Sequence, residues 1–216
     1  MIRKTEQIGT APASAHDFHD PGYVRRWARQ AIVRTPVRNE FIACIVARAT
    51  ALAFPRPAIL EYGCGPGFLA ECLLESIDVS AYWLIDFSEA MLDLCAERLA
   101  RFDHVTRYAK RDFTLPDWLA GLPCRPDLVV SMQASHEVRS KAKVDALYAQ
   151  ILESLTPAGG FLMCDLTADG SSGPDQSVFL TMDKHLDALQ RAGFDRVAPL
   201  MIKGGLGLAA GFRNSR

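Results

Sequence analysis

Long apolar runs are missing from this chain: the one nearest its start, residues 41–47, stops at Arg48, far short of the roughly 20 residues that cross a bilayer. No secretory signal precedes it either, so no membrane association and a cytoplasmic location are expected. Paired cysteines are missing too. Cys44, Cys64, Cys72, Cys95, Cys124 and Cys164 are scattered without a C-x-x-C spacing, which argues against a zinc site and a disulfide framework; they read as reduced thiols. Net charge is almost absent, 24 Lys and Arg against 25 Asp and Glu, so there is no overall field to hold a polyanion and nucleic acid is not favoured as a partner. The first 48 residues do carry eight basic against four acidic side chains, which reads as a solvated helix face or a local patch. No repeat or coiled-coil pattern is visible, and the oligomeric state is not legible.

What is present points to one folded domain. Hydrophobic residues make up 49% and charged residues 23% of the 216, enough for one sizeable core and short of two. From Ile59 onward, short apolar runs alternate with amphipathic stretches, the pattern of strands and crossover helices around a mostly parallel sheet. Strands are expected at 58–62, 82–86, 105–110, 127–132 and 160–165. Between them Met91, Leu94, Cys95, Arg98 and Leu99 recur at helical spacing, with Arg98 at the edge of the stripe, and so do Val144, Leu147, Ile151 and Leu155. Ser88 is placed to cap one helix and Gly193 to end another. The tail, 197–202 and 206–212 around Lys203-Gly204-Gly205, reads as an antiparallel pair closing the sheet. Upstream, 21–51 reads as one or two helices divided at Pro36, and 169–177 as a polar loop.

The chemistry begins at Ile59-Leu60-Glu61-Tyr62-Gly63-Cys64-Gly65-Pro66-Gly67, a buried strand running into three alternating glycines and then a helical stripe. Such a turn lets backbone approach a ligand closely, and the helix start behind it offers free N–H groups. Spacing selects the ligand. A dinucleotide fingerprint read from Gly63 puts its last small residue at Phe68, too bulky for a close pyrophosphate approach. Glu61, just before the turn, would repel a pyrophosphate and attract a cation. Asp86 ends the second strand 19 residues beyond Gly67, the range where an acid binds ribose hydroxyls.

With these features the chain resembles the class I S-adenosylmethionine-dependent methyltransferases. Residues 61–67 (EYGCGPG) are similar to their first motif and 84–92 (LIDFSEAML) to their second. The likeness continues through Arg111-Asp112-Phe113, 126–131 and 155–160, in the family's order over 57–213. The resemblance implies an α/β fold: a Rossmann-like, mostly parallel seven-stranded sheet with helices on both faces and a C-terminal antiparallel strand pair. It implies S-adenosyl-L-methionine as cofactor and S-adenosyl-L-homocysteine as product. It divides the chain into a loose N-terminal arm (1–20), a helical lid (21–56) and a methyltransferase domain (57–216). Carried over by position, Glu61 faces the methionine amino end, Gly63, Cys64, Gly65 and Gly67 form the turn, and Asp86 holds the ribose. Phe87 and Met91 flank the adenine, Asp112 accepts from its amino group, Phe113 lies beneath it, and Met132 closes the cofactor side. Met91 and Phe113 read equally well as core residues, and Cys64 as a small-residue slot.

For the acceptor, the segment after the fourth strand, 131–137 (SMQASHE), carries the candidates. The resemblance implies His136 as a catalytic base near neutral pH, with Glu137 orienting it or facing solvent; the other reading makes His136 a structural cap. Tyr23, Trp27, Gln133 and Glu137 are the candidate acceptor-binding residues, Tyr23 and Trp27 on the lid, where both also read as ordinary helix packing. Arg34 is a candidate partner for the cofactor carboxylate. The segment 16–20 (HDFHD) lacks a separated third ligand and reads as a solvated arm, so no metal is expected. A small-molecule acceptor is favoured, since no Asn-Pro-Pro-aromatic tetrapeptide follows the fourth strand. The alternatives are a non-catalytic cofactor-binding module and, against Glu61 and Phe68, an NAD-dependent oxidoreductase.

Overall fold

The computed structural model describes residues 17–34, 36–123, 125–138, 140–168 and 179–214, and of positions 32–34, 36 and 141 the backbone alone. The polar loop expected at 169–177, Cys124, and residues 1–16 of the arm lie outside these.

The central strands are apolar on both faces, and this dictates the layers. Along β1 (Ala58–Tyr62), Ile59 packs to one side and Leu60 and Tyr62 to the other. β4 (Leu128–Met132) and β5 (Gly160–Leu166) alternate likewise: Val130 and Leu162 join Ile59, whereas Val129 and Phe161 join Leu60. A strand with no polar face needs a helical layer on each side. One layer is α2 (Pro36–Ala51), α3 (Phe68–Ser76) and α4 (Glu89–Arg98), through Phe41, Ile45, Leu73 and Cys95. The opposite layer is α5 (Lys141–Ser154) and α6 (Met182–Ala192), through Leu147, Tyr148, Ile151 and Leu189. The first helix, α1 (Pro21–Arg34), rests on the start of α4, where Val24 meets Ala90 and Met91.

With β2 (Ala81–Asp86), β3 (Thr106–Lys110), β6 (Asp195–Lys203) and β7 (Leu206–Phe212) added, the sheet order is β3-β2-β1-β4-β5-β7-β6. The first five strands are parallel, β7 runs against β5, and β6 against β7. This is the expected mostly parallel seven-stranded sheet with its C-terminal antiparallel pair. The chain turns outward in opposite directions from β1 and β4, and such a reversal opens a crevice at the strands' carboxyl ends. Ser88 caps α4 by accepting from Met91 N, and Gly193 ends α6 at φ 98°. Pro36 opens the second of two helices. Among the described residues no helix is long and apolar enough to cross a membrane.

Candidate active site

A cavity of about 520 Å³ lies over the carboxyl ends of β1, β2, β4 and β5. At its β1–β2 end, Asp86 ties the glycine turn to α4: Gly65 N donates to one carboxylate oxygen and Ser88 N to the other, each at 2.9 Å. A carboxylate offers about four acceptor positions, so capacity is left for hydroxyls of a ligand. Burial raises the Asp86 pKa, and the backbone donors, with Ser88 and Gly65 foremost, oppose that. Phe87 and Met91 line the same end, as do Asp112 and Phe113. Asp112 is held by Thr114, whose N–H and hydroxyl both donate to Oδ1 at 2.9 and 2.6 Å. Glu61 sits at the floor, 2% exposed, accepting from the Tyr82 hydroxyl at 2.7 Å. Burial lifts its carboxyl to about 8, the Tyr82 bond pulling the other way and Asp86 adding to the rise, which favours the neutral acid at neutral pH. Cys64 also lines the cavity, and burial first, then Cys95, raises its thiol well above the ordinary value, which is no state for a nucleophile.

The three glycines of the turn do different jobs. Gly63 and Gly65 line the cavity, and a Cβ on Gly65 would meet nothing within 4 Å. Gly67 is not part of the lining. It caps α3 at φ 80°, and a Cβ there would stand 2.7 Å from Cys95 Sγ, so it serves the packing of α3 on α4 rather than ligand approach. Phe68, next along, does line the cavity. Arg98 stacks over its ring at 4.3 Å, donates to Pro66 O at 2.8 Å and pairs with Glu71 at 2.9 Å. The polar exception in the α4 stripe is therefore a clamp on the turn.

At the β4–β5 end, Met132 and Gln133 close β4, and a short 3-10 turn, Ser135–Val138, carries His136 and Glu137; all four residues line the cavity. The Tyr62 hydroxyl and Ser135 hydroxyl share a hydrogen bond at 2.8 Å that anchors this turn to β1. His136 Nδ1 lies 2.6 Å from Oδ1 of fully buried Asp165, whose other oxygen accepts from His136 N at 2.7 Å. The orienting acid is thus Asp165, with Glu137 3.5 Å from the opposite ring nitrogen, Nε2. Burial alone would lower the imidazole pKa, but Asp165, as charge and as acceptor, and then Glu137 outweigh it and raise it to about 10. Phe179 stands edge-on to the ring at 5.7 Å. Asp165 went unnoticed in the sequence, although an acid inside the last residues of an otherwise apolar strand was the available signal.

The leading segment closes the β2 side. Phe18, His19 and Trp27 line the cavity, while Tyr23 lies behind, edge-on to Phe18 at 5.9 Å and off the lining. Phe18 also meets Trp27 at 5.6 Å and Phe87 at 6.3 Å, and the Ser88 hydroxyl donates to Phe18 O. Phe18 and His19, at the end of the expected loose arm, are therefore packed against the site. The Arg34 side chain lies outside the described residues; four positions on, in α2, Arg38 lines the cavity and donates to Gln133 Oε1 at 2.7 Å. Within the cavity, the set of a partly satisfied Asp86, a buried neutral Glu61 and an open turn at Gly65 fits a cationic nucleoside such as S-adenosylmethionine.

Residues 59–159 match the family model of the methyltransferase domain. The squalestatin tetraketide synthase of Phoma sp. (strain C2932) is 26% identical over 122 residues, covering 53% of this chain and 5% of that protein. The chain thus spans a small part of that synthase's length. Among solved structures, an O-methyltransferase family protein from Burkholderia thailandensis superposes with a TM-score of 0.71 at 16% identity, covering 92% of this chain and 62% of that one. Human N-acetylserotonin methyltransferase in complex with S-adenosylmethionine gives 0.68 at 16%, covering 94% and 60%. The matched segment is thus similar to the methyltransferase domain, and the fold is that of these solved methyltransferases.

Proposed function

We propose that this protein transfers the methyl group of S-adenosylmethionine to a small-molecule acceptor. The observation that carries the reading is a single cavity holding Asp86, the Gly65 turn and Glu61 at one end and the His136–Asp165 pair at the other. When bound, the cofactor supplies an electrophilic methyl on a positive sulfur whose departure leaves a neutral thioether. Asp86 holds the ribose hydroxyls, Glu61 the methionine ammonium, Phe87 and Met91 the adenine faces, Asp112 and Phe113 its edge and underside, and Cys64 and Met132 the remaining walls. Positioning does most of the work in such a displacement.

His136 handles the acceptor's proton at Nε2, the nitrogen turned from Asp165. Asp165 keeps the proton on Nδ1 and the ring in one orientation. At neutral pH both nitrogens carry protons, so the base form is reached as pH rises or as an acceptor replaces Glu137 at Nε2. Helices α1 and α2, with Phe18 and Trp27, act as a lid that excludes water. The five free cysteines among the described residues support a reducing, cytoplasmic setting.

The test uses methyl-labelled S-adenosylmethionine and the low-molecular-weight fraction of a cell extract. Label should move to a small molecule, and His136→Gln should lose transfer while still binding S-adenosylhomocysteine. Label found only in nucleic acid or protein, or equal transfer by His136→Gln, contradicts the reading.

A further inference from the structure

We infer that the acceptor is an acid, and that Arg38 receives its carboxylate at the β4–β5 end of the cavity. The inference rests on the methyl-transfer reading and deepens it. Arg38 is half-buried in α2 and turned into the cavity, where burial lowers its guanidinium pKa. Among the described residues no carboxylate pairs with it: both of its hydrogen bonds, from Nε and from a terminal nitrogen, go to the one neutral oxygen Gln133 Oε1. A guanidinium fork is shaped for two carboxylate oxygens, and charge-assisted bonds are roughly twice as strong as neutral ones. Gln133 is therefore a placeholder that an incoming carboxylate displaces. It is also strained in place, at φ 57° for a residue with a side chain, its N–H bonded to Cys164 O at 2.7 Å.

Position separates this group from the cofactor. Arg38 bonds Gln133, the residue that follows β4, whose own N–H bonds Cys164 O on β5. Glu61 and Asp86 end β1 and β2. In the sheet order β2-β1-β4-β5, neighbouring strands lie about 4.8 Å apart, so β5 stands about 10 Å from β1. Arg38 thus shares its end of the cavity with His136, which follows β4, and Asp165, which lies on β5. An acceptor anchored on Arg38 by its carboxylate presents its nucleophilic atom to the imidazole.

The experiment measures binding to protein saturated with S-adenosylhomocysteine. Hydroxybenzoates, hydroxyphenylacetates and hydroxycinnamates are compared with their carboxamides, on the wild type, Arg38→Gln and Arg38→Lys. At least one acid should bind the wild type tenfold or more tightly than its amide. That preference should vanish in Arg38→Gln and partly return in Arg38→Lys. In parallel, S-adenosylhomocysteine is compared with 5′-methylthioadenosine, which lacks the amino-acid end; their affinity ratio should change less than threefold in Arg38→Gln. No preference for any acid overturns the inference, and so does a collapse of that ratio, which would give Arg38 to the cofactor's own carboxylate. Wild-type protein that binds no S-adenosylhomocysteine would instead refute the methyl-transfer reading beneath it.

Discussion

His136 Nδ1 and Asp165 Oδ1 stand 2.6 Å apart, joining the turn after β4 to the end of β5 across the floor of the cavity. Replacing Asp165 by Asn removes the charge that raises the imidazole and leaves the ring free to take the wrong tautomer. Turnover should fall by about 10²–10⁴, the range of general acid–base catalysis. The rising limb of the pH–rate profile, along which the base form of His136 appears, should move from near 10 toward 6.5. Affinity for S-adenosylhomocysteine should stay within twofold. An unshifted limb would mean that His136 does not handle the proton.

The same pair carries a stability signature. The folded-state value of His136 lies above its ordinary 6.5, so its contribution is fully present below 6.5 and is lost as pH rises through about 10. Thermal unfolding should show a midpoint falling between pH 7 and 10 in the wild type, and a flatter curve in His136→Gln.

Glu61 shifts in the same direction for a different reason, burial of its charge rather than a charged partner. Its buried carboxyl is raised to about 8 from 4.5, so it costs stability progressively as pH climbs from 4.5 to 8. A ligand ammonium beside it would drive off the proton. Calorimetry of S-adenosylhomocysteine near pH 7 in buffers of different ionisation enthalpy should show up to one proton released per ligand bound. Glu61→Gln should abolish that release, weaken binding, and raise the melting temperature of the free protein above pH 7.

Gly67 and Gly65 should separate stability from binding. Gly67→Ala places a Cβ against Cys95 in a left-handed conformation and should cost about 1–3 kcal/mol in denaturant unfolding. Gly65→Ala is also left-handed, but its Cβ points into open space. Its cost should be about 1–2 kcal/mol, with a larger loss of S-adenosylhomocysteine affinity than Gly67→Ala shows.

The sheet was legible in the sequence because its central strands are short and apolar on both faces, and because Ser88, Gly193 and Gly204-Gly205 mark their neighbours' ends. Strand limits moved by only a residue or two, as at Ala81 and Asp195. The β1–β2 end of the site was legible for a similar reason: its groups, from Glu61 to Phe113, follow one another along the chain at the ends of successive strands. The β4–β5 end was not. Asp165 and Arg38 reach His136 and Gln133 from 29 and 95 positions away, and only the fold makes them neighbours. Phe18 and His19 looked like part of a polar arm, since nothing local shows that Ser88 and Phe87 receive them. Gly67 shows the limit of the motif, because a glycine required by helix packing looks the same in sequence as one required by a ligand.

The most direct test is calorimetric titration of the wild type and Asp86→Ala with S-adenosylhomocysteine, S-adenosylmethionine and NAD. Saturable 1:1 binding of both sulfur nucleosides is expected, with a loss of about tenfold or more in Asp86→Ala from the missing charged hydrogen bonds, and no heat with NAD. Binding of NAD with silence toward both sulfur nucleosides would contradict the methyl-transfer reading.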